Sequence, residues 1–501
     1  MARARTLMVQ GTASSVGKSL LVTALCRYFH RQLGLSVAPF KALNMALNAH
    51  VTEQGFELAR AQAVQAEACG IAPCVEMNPL LLKPESNMRS QVILMGRPTG
   101  SRSARELFST GLDVRGAVVD ALETLRARHD LVIIEGAGSP AEINLRARDV
   151  ANMFAARAAD APVLLAGDID RGGVFAAFVG TLALLEPEDR ARVKGFLVNK
   201  FRGDVSLLTP GLDWLHGETG IPVLGVLPHL GRLKIAEEDS LDVDARAGDD
   251  ARGALTIAVL RLPRISNHDE FQPLEHEADV RLVFTEDPLV ALGADLLIVP
   301  GTKSTLSDLA WLRREGLDHV IRLRAQRGMR VLGVCGGCQM LGGAIRDPDG
   351  IESDERESEG LGLLRLSTQF HARKNTQRVR ARAAGASWLF RGYEGEVPGY
   401  FIHAGVTHGE GTPVHHIVCE QGALPDAGGV SENGAVIGTM VHGLLEHDGL
   451  RHALLDGMRE QRGLGAASHK ASWNREAEYD RLAASIAENC DVAALRALVG
   501  A

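Results

Sequence analysis

Aromatic side chains are scarce: Phe, Tyr and Trp make up 4% of the 501 residues, too few for the stacking platforms on which proteins lay out single-stranded nucleic acid. A basic excess is missing too. The formal charge is -8 and is spread along the chain rather than gathered in a tail, so no nucleic-acid partner is expected. Seven cysteines, an odd number without framework spacing, exclude a disulfide scaffold and read as reduced thiols. No apolar run approaches the roughly 20 residues of a membrane-crossing helix. The start, Met1-Ala2-Arg3-Ala4-Arg5, runs too soon into a glycine-rich loop to hold a signal-peptide core. The expectation is a cytoplasmic protein with no membrane partner. Nothing in the sequence speaks to its oligomeric state.

What is present is the composition of a globular enzyme, 46% apolar and 23% charged, with too many residues for one ordinary core. Strand-like apolar runs at 7–9, 36–39, 131–134, 163–166, 195–198 and 223–226 alternate with amphipathic stretches. That pattern predicts a parallel sheet covered by helices on both faces. Around 241–253 the chain turns to Asp, Arg, Ala and Gly without apolar period, which reads as a linker. A second alternating series begins with 255–260, 280–285, 296–299 and 330–334. The fold class is therefore α/β twice over, with domains expected at 1–240 and 254–448 and a helical C-terminal tail at 449–501.

Gly11-Thr12-Ala13-Ser14-Ser15-Val16-Gly17-Lys18-Ser19 follows the first strand and opens a helix, the context of a phosphate-binding P-loop. Backbone N–H groups at the helix start can cradle phosphate oxygens, Lys18 can reach the terminal phosphates, and the Ser19 hydroxyl can bind Mg²⁺. Gly11 and Gly17 frame the loop, with five residues between them instead of four. A partition-type switch ATPase is a rival reading, but its signature lysine would fall at Ala13. The strand at 131–134 delivers Glu135 to its carboxyl end, where ligands bind in open α/β sheets, so Glu135 is the preferred second metal ligand. Asp168 and Asp170 end the next strand and are further candidates. Arg146, Arg148, Arg171, Lys83 and Arg89 lie in loops expected near the same edge and offer a cationic surface for a multi-carboxylate substrate.

Cys335 stands in Gly333-Val334-Cys335-Gly336-Gly337-Cys338-Gln339, between an apolar run and a helix-like stretch. A cysteine on such a strand-to-helix turn gains an exposed sulfur, a helix N-terminus that favours thiolate, and N–H groups able to hold an oxyanion. Backbone near Gly301 and Gly336 is the expected oxyanion site. Cys338 completes a C-x-x-C pair, but no further ligands with zinc spacing accompany it, so it is read as packing on the first helical turn. His442, which ends a short apolar run, is the expected base, with His403 as runner-up.

Gly333, Cys335, Gly337 and Gln339 match the elbow Gly-x-Cys-x-Gly-x-Gln of the class I glutamine amidotransferases, which this stretch resembles. Longer segments, Pro39 to Asn48, Glu135 to Leu145, Asn199 to Asp204 and Pro300 to Thr305, resemble those of the cobyric acid synthase family. The resemblance spans nearly the whole chain. It implies an N-terminal P-loop NTPase-like, ATP-dependent amidoligase domain, similar to dethiobiotin synthetase, fused to a class I glutamine amidotransferase-like domain. It also implies ATP and Mg²⁺ as cofactors, L-glutamine as nitrogen donor, and a corrinoid polycarboxylate, adenosylcobyrinic acid a,c-diamide, as acceptor, amidated at its b, d, e and g carboxylates. A sister amidoligase, cobyrinic acid a,c-diamide synthase, is distinguished by the Asn-rich segment Lys41 to Asn48. Leu444 occupies the place two after His442 where many amidotransferases carry a triad Glu, so a Cys335–His442 dyad is expected, with Glu446 the nearest acid that could orient the histidine.

Overall fold

The computed structural model describes residues 3–501 except 86–87, 110, 232, 234, 236–254, 354, 386, 420–421, 425–427, 466 and 468–469. The linker expected at 241–253 lies outside the described residues. The chain divides into two compact units. The first comprises Met1–Ala46, Glu57–Ser240 and Asn474–Ala501, and the second Leu47–Phe56 and Leu241–Trp473.

The first unit is built on six parallel strands: β1 (Arg5–Gly11), β2 (Val37–Phe40), β3 (Leu131–Glu135), β4 (Val163–Asp168), β5 (Val193–Phe201) and β6 (Val223–Pro228). They lie in the order β6-β5-β4-β1-β3-β2. These are the runs expected from the sequence, and their apolar residues are buried because helices cover both faces. The helix after β1, α1 (Lys18–Leu33), begins at Gly17 and ends at Gly34, both in the left-handed region at φ 94° and 66°. An antiparallel sheet formed by Leu80–Pro84, Ser90–Leu94 and Arg97–Arg102, with Leu43–Met45 at one edge, is inserted after β2.

The second unit repeats the plan with β7 (Leu255–Leu260), β8 (Val280–Thr285), β9 (Leu296–Val299), β10 (Val331–Val334) and β11 (Val436–Thr439). Their order is β8-β7-β9-β10-β11, all parallel, with Gly429–Val430 antiparallel at the edge. A long hairpin, Leu366–Ala383 with Val397–Gly409, extends from the helix after β10, α2 (Gly336–Leu341), in a separate sheet.

The stretch read as one tail at 449–501 divides between the units. Helix α3 (Asp448–Gln461) packs in the core of the second. Helices α4 (Arg475–Asn489) and α5 (Val492–Val499) return to the first, where Tyr479, Leu482, Ile486, Leu495 and Val499 join the core cluster of α1. The buried Arg27 of α1 pairs with Glu476 and Asp480 of α4, both at 2.7 Å. No described helix is long and apolar enough to cross a membrane.

Ile486 is fully buried in this contact. Its replacement by Ala should cost about 2–5 kcal/mol through lost burial and the cavity left behind, read as a lower urea midpoint for the first unit with an unchanged slope.

Candidate functional site

Four neighbouring strands of the second sheet bring their carboxyl ends together, which is where an open α/β sheet binds ligands. β7 leads to Asn267-His268-Asp269-Glu270, β9 to Gly301-Thr302, β10 to Cys335 and β11 to His442. Cys335 sits on the turn between β10 and α2 with φ 51° and ψ -109°, a conformation that costs a non-glycine residue on the order of 1–3 kcal/mol. Two backbone bonds hold it there: Cys335 N–H donates to Thr439 O at 2.8 Å, and Gln339 N–H donates to Cys335 O at 3.0 Å. Gly336 is required by its neighbours, because a Cβ there would stand 2.7 Å from Thr302 Cγ2 and 3.1 Å from Thr302 N. The backbone after β9 thus lies against the first residue of α2, the two segments expected to form an oxyanion site.

His442 is wholly buried and stacks on Tyr400, with ring centroids 5.2 Å apart and planes at 16°. Its Nδ1 is 2.7 Å from Glu270 Oε1, and the other carboxylate oxygen accepts from Gly443 N–H at 2.8 Å. A dyad with Glu446 as the nearest acid is therefore not the arrangement found. The acid comes from 172 residues upstream, and Glu446 instead begins the approach to α3. Burial alone would disfavour the imidazolium, but Glu270 and Cys335 together raise its pKa to about 10. Cys335 thus lies close enough to the imidazole to be one of the two groups that favour its protonated form.

Beside the elbow, Thr305 Oγ1 lies 3.3 Å from Gln339 Oε1, and Thr305 N–H donates to Glu352 Oε2 at 2.8 Å. Burial pushes the Glu352 carboxyl up to about 7 against the pull of Lys303. The amide nitrogen of Gln339 is buried without a partner. This corner therefore offers one carboxylate and one free amide donor. Cys338 is buried in the core against Gly438, and burial pushes the pKa of His403, the runner-up base, down to about 4.

In the first unit the loop after β1 has Gly17 at φ 94°, a conformation that favours glycine. Lys18 Nζ donates to Ala13 O and Gly138 O, each at 3.0 Å. Gly11 ends β1 and Ser19 lies in the first turn of α1, where its hydroxyl donates to Glu135 Oε1 at 2.8 Å. The same oxygen receives the Lys41 ammonium at 2.8 Å, and Glu135 Oε2 accepts from Gln65 Nε2 at 2.5 Å. Lys41 and Gln65 were not singled out from the sequence as partners of Glu135. Lys41 follows β2, the strand beside β3, so sheet order was the missing information.

The other acids and bases are engaged elsewhere. Asp168 pairs with Lys200 at 2.8 Å, and Lys200 in turn donates to Ser15 O, bracing the loop. Asp170 pairs with Arg202. The expected cationic surface is largely neutralised: Lys83 is buried against Glu57, Arg89 pairs with Glu106, Arg146 with Glu186, and Arg171 lies 3.7 Å from Asp168.

Because the His442 imidazolium is stabilised in the folded state, its contribution to stability is complete below about pH 6.5 and is lost as pH rises through about 10. Glu270→Gln removes the charge that supports it. Thermal melting should place the variant several degrees below wild type at pH 6, with the gap closing towards pH 10.

Residues 7–243 match the CobQ/CobB/MinD/ParA nucleotide binding domain family, and residues 256–450 match the CobB/CobQ-like glutamine amidotransferase domain family. A cobyric acid synthase of Sorangium cellulosum (strain So ce56) is 54% identical, with 99% of each chain covered. One from Dehalococcoides mccartyi (strain CBDB1) is 47% identical over 99% of both chains. A third, from Pelotomaculum thermopropionicum (strain DSM 13744 / JCM 10971 / SI), is 48% identical over 99% of this chain and 97% of its own. With a nucleotide-binding loop in one unit, a cysteine elbow facing a histidine in the other, and this similarity along its whole length, the chain belongs to the cobyric acid synthase family.

Proposed function

We propose that the second unit hydrolyses glutamine at Cys335 and that the ammonia amidates carboxylates activated by ATP in the first. The acceptor in this reading is adenosylcobyrinic acid a,c-diamide, amidated at its b, d, e and g positions in adenosylcobalamin synthesis. The observation that carries the reading is the buried His442 between Glu270 and Cys335, in a chain whose other unit bonds Ser19 to Glu135 and Lys18 to the backbone of Gly138.

The Cys335 thiolate attacks the side-chain amide carbon of glutamine, and N–H groups from Thr302 and Gly336 receive the oxyanion. His442 Nε2 gives its proton to the departing nitrogen, so ammonia leaves and a thioester remains. Water activated by the same nitrogen then releases glutamate and restores the thiol. Glu270 keeps the proton on Nδ1 throughout. The Glu352 carboxylate and the free Gln339 amide suit the α-ammonium and α-carboxylate of the donor.

In the first unit a substrate carboxylate oxygen attacks the γ-phosphorus of ATP, releasing ADP. Ammonia displaces phosphate from the acyl phosphate to leave the amide. Lys18 moves from its carbonyl partners to the phosphates. Ser19 Oγ and Glu135 Oε1, 2.8 Å apart, fit a Mg²⁺ ion that would neutralise phosphate charge. No group of three or more His, Cys, Asp or Glu side chains gathers as a metal cage among the described residues, so such an ion would draw its other ligands from phosphate and water.

Cys335→Ala should lower glutamine-dependent amidation by roughly 10⁴-fold or more while ammonium still supports product formation, counted as mass shifts of the corrinoid. Loss with both nitrogen sources would contradict the division of labour. Lys18→Ala should lower amidation from either source by roughly 100-fold or more. ATP-dependent product persisting at the wild-type rate would remove Lys18 from the phosphate site.

A further inference from the structure

The segment Leu47–Phe56 lies early in the chain, yet its contacts place it in the second unit. Ala46 N–H still bonds Leu82 O, within the first unit. The next residues form a small turn closed by Thr52 N–H to Phe56 O at 2.8 Å. Gly55, at φ 77°, passes so close to Thr376 O that a Cβ would stand 2.9 Å from it. Arg378 fastens the turn by bonds to Val51 O at 3.0 Å and His50 Nε2 at 2.9 Å.

What this strap touches is the support of His442. Its polar edge meets the loop that carries Glu270: Asn48 Nδ2 is 3.1 Å from His268 Nε2, and Ala49 N–H donates to Asn267 Oδ1 at 2.9 Å. Asn267 itself holds a left-handed conformation, φ 53° and ψ 32°, and its carbonyl receives Glu270 N–H at 3.2 Å. The apolar edge, Ala49 and Val51, packs with Tyr400 and Ile402, and Tyr400 is the ring stacked on His442. Both the acid that orients the imidazole and the ring that covers it thus rest on one short segment. Asn48, His268 and Asn267 are each at least 98% buried or nearly so, at 1%, 2% and 2% exposure, so these bonds compete little with water.

We infer that Asn48 and Asn267 are positioning residues for glutamine hydrolysis, holding the Glu270 loop so that His442 presents Nε2 to Cys335. The inference rests on the proposed glutaminase reading and extends it to residues that touch no reacting atom. The strap is also continuous with Lys41, seven positions before Asn48 and bonded to Glu135. One stretch of chain therefore joins a partner of the phosphate-site carboxylate to the support of the glutaminase histidine.

The test uses full-length Asn48→Ala and Asn267→Gly, the second chosen because glycine adopts the left-handed conformation freely and loses only the side-chain bond. Glutamine hydrolysis should show kcat lowered about tenfold with KM within about twofold. Ammonium-driven amidation should stay at the wild-type rate. In a Glu270→Gln background, adding Asn48→Ala should change kcat by less than about twofold, because both act through one group. Wild-type kcat in the single variants, an undiminished effect in the Glu270→Gln background, or parallel loss of ammonium-driven amidation would each overturn the positioning role. Wild-type protein that releases no ammonia from glutamine, before or after Cys335 alkylation, would overturn the glutaminase reading beneath it.

Discussion

Glu270 carries a carboxyl group taken almost wholly out of water, and the geometry of the second site depends on how that group is held. An ion buried in this way loses several kcal/mol of solvation, roughly, unless hydrogen bonds and an opposite charge replace the water. The fold supplies both, through Gly443 N–H on one oxygen and His442 on the other. Once Glu270 is fixed, much else follows. The bond to Nδ1 selects the tautomer that leaves Nε2 towards Cys335, and the negative charge makes a protonated imidazole stable beside the thiol. Glu270, Cys335 and His442 lie far apart in sequence. Only a sheet that sets β7, β9, β10 and β11 side by side assembles them, so the chemistry of the site depends directly on strand order.

The first unit uses a buried carboxylate differently. Glu135 is also at the carboxyl end of a central strand, but its partners are a hydroxyl, an ammonium and an amide. Lys41 is a compact charge on a flexible stem, brought to Glu135 from the strand beside it. Glu270 is held by one imidazole and one backbone N–H, whereas Glu135 is held by three side chains.

What was legible in the sequence was local. The P-loop announces itself because strand, glycines, Lys18 and helix fall within one short segment, and Cys335 because glycines flank it on a strand-to-helix turn. The apolar runs of both sheets were readable for the same reason: strands buried on both faces have no polar alternation to blur them. Glu270 was not readable from His442, since the local rule points to Leu444. The available signal was five successive polar residues, Ser266 to Glu270, downstream of a buried strand. The cationic loops gave their sign but not their partners. Arg146 and Lys83 are neutralised by Glu186 and Glu57, which only folding brings near. Helical spacing near Tyr479 was plain, but nothing in it says which core the helix joins.

Helices α4 and α5 follow the whole second unit in the chain, yet their apolar residues complete the core around α1. During synthesis at roughly 5–20 residues per second, domains ordinarily fold as they emerge, the first one first. Here the nucleotide-binding unit leaves the ribosome with one side of α1 uncovered, and Arg27 waits for acids encoded some 450 residues later. The glutaminase unit can close while its neighbour is still incomplete. Nascent chains halted before Asn474 would therefore leave the apolar face of α1 without the helices that cover it.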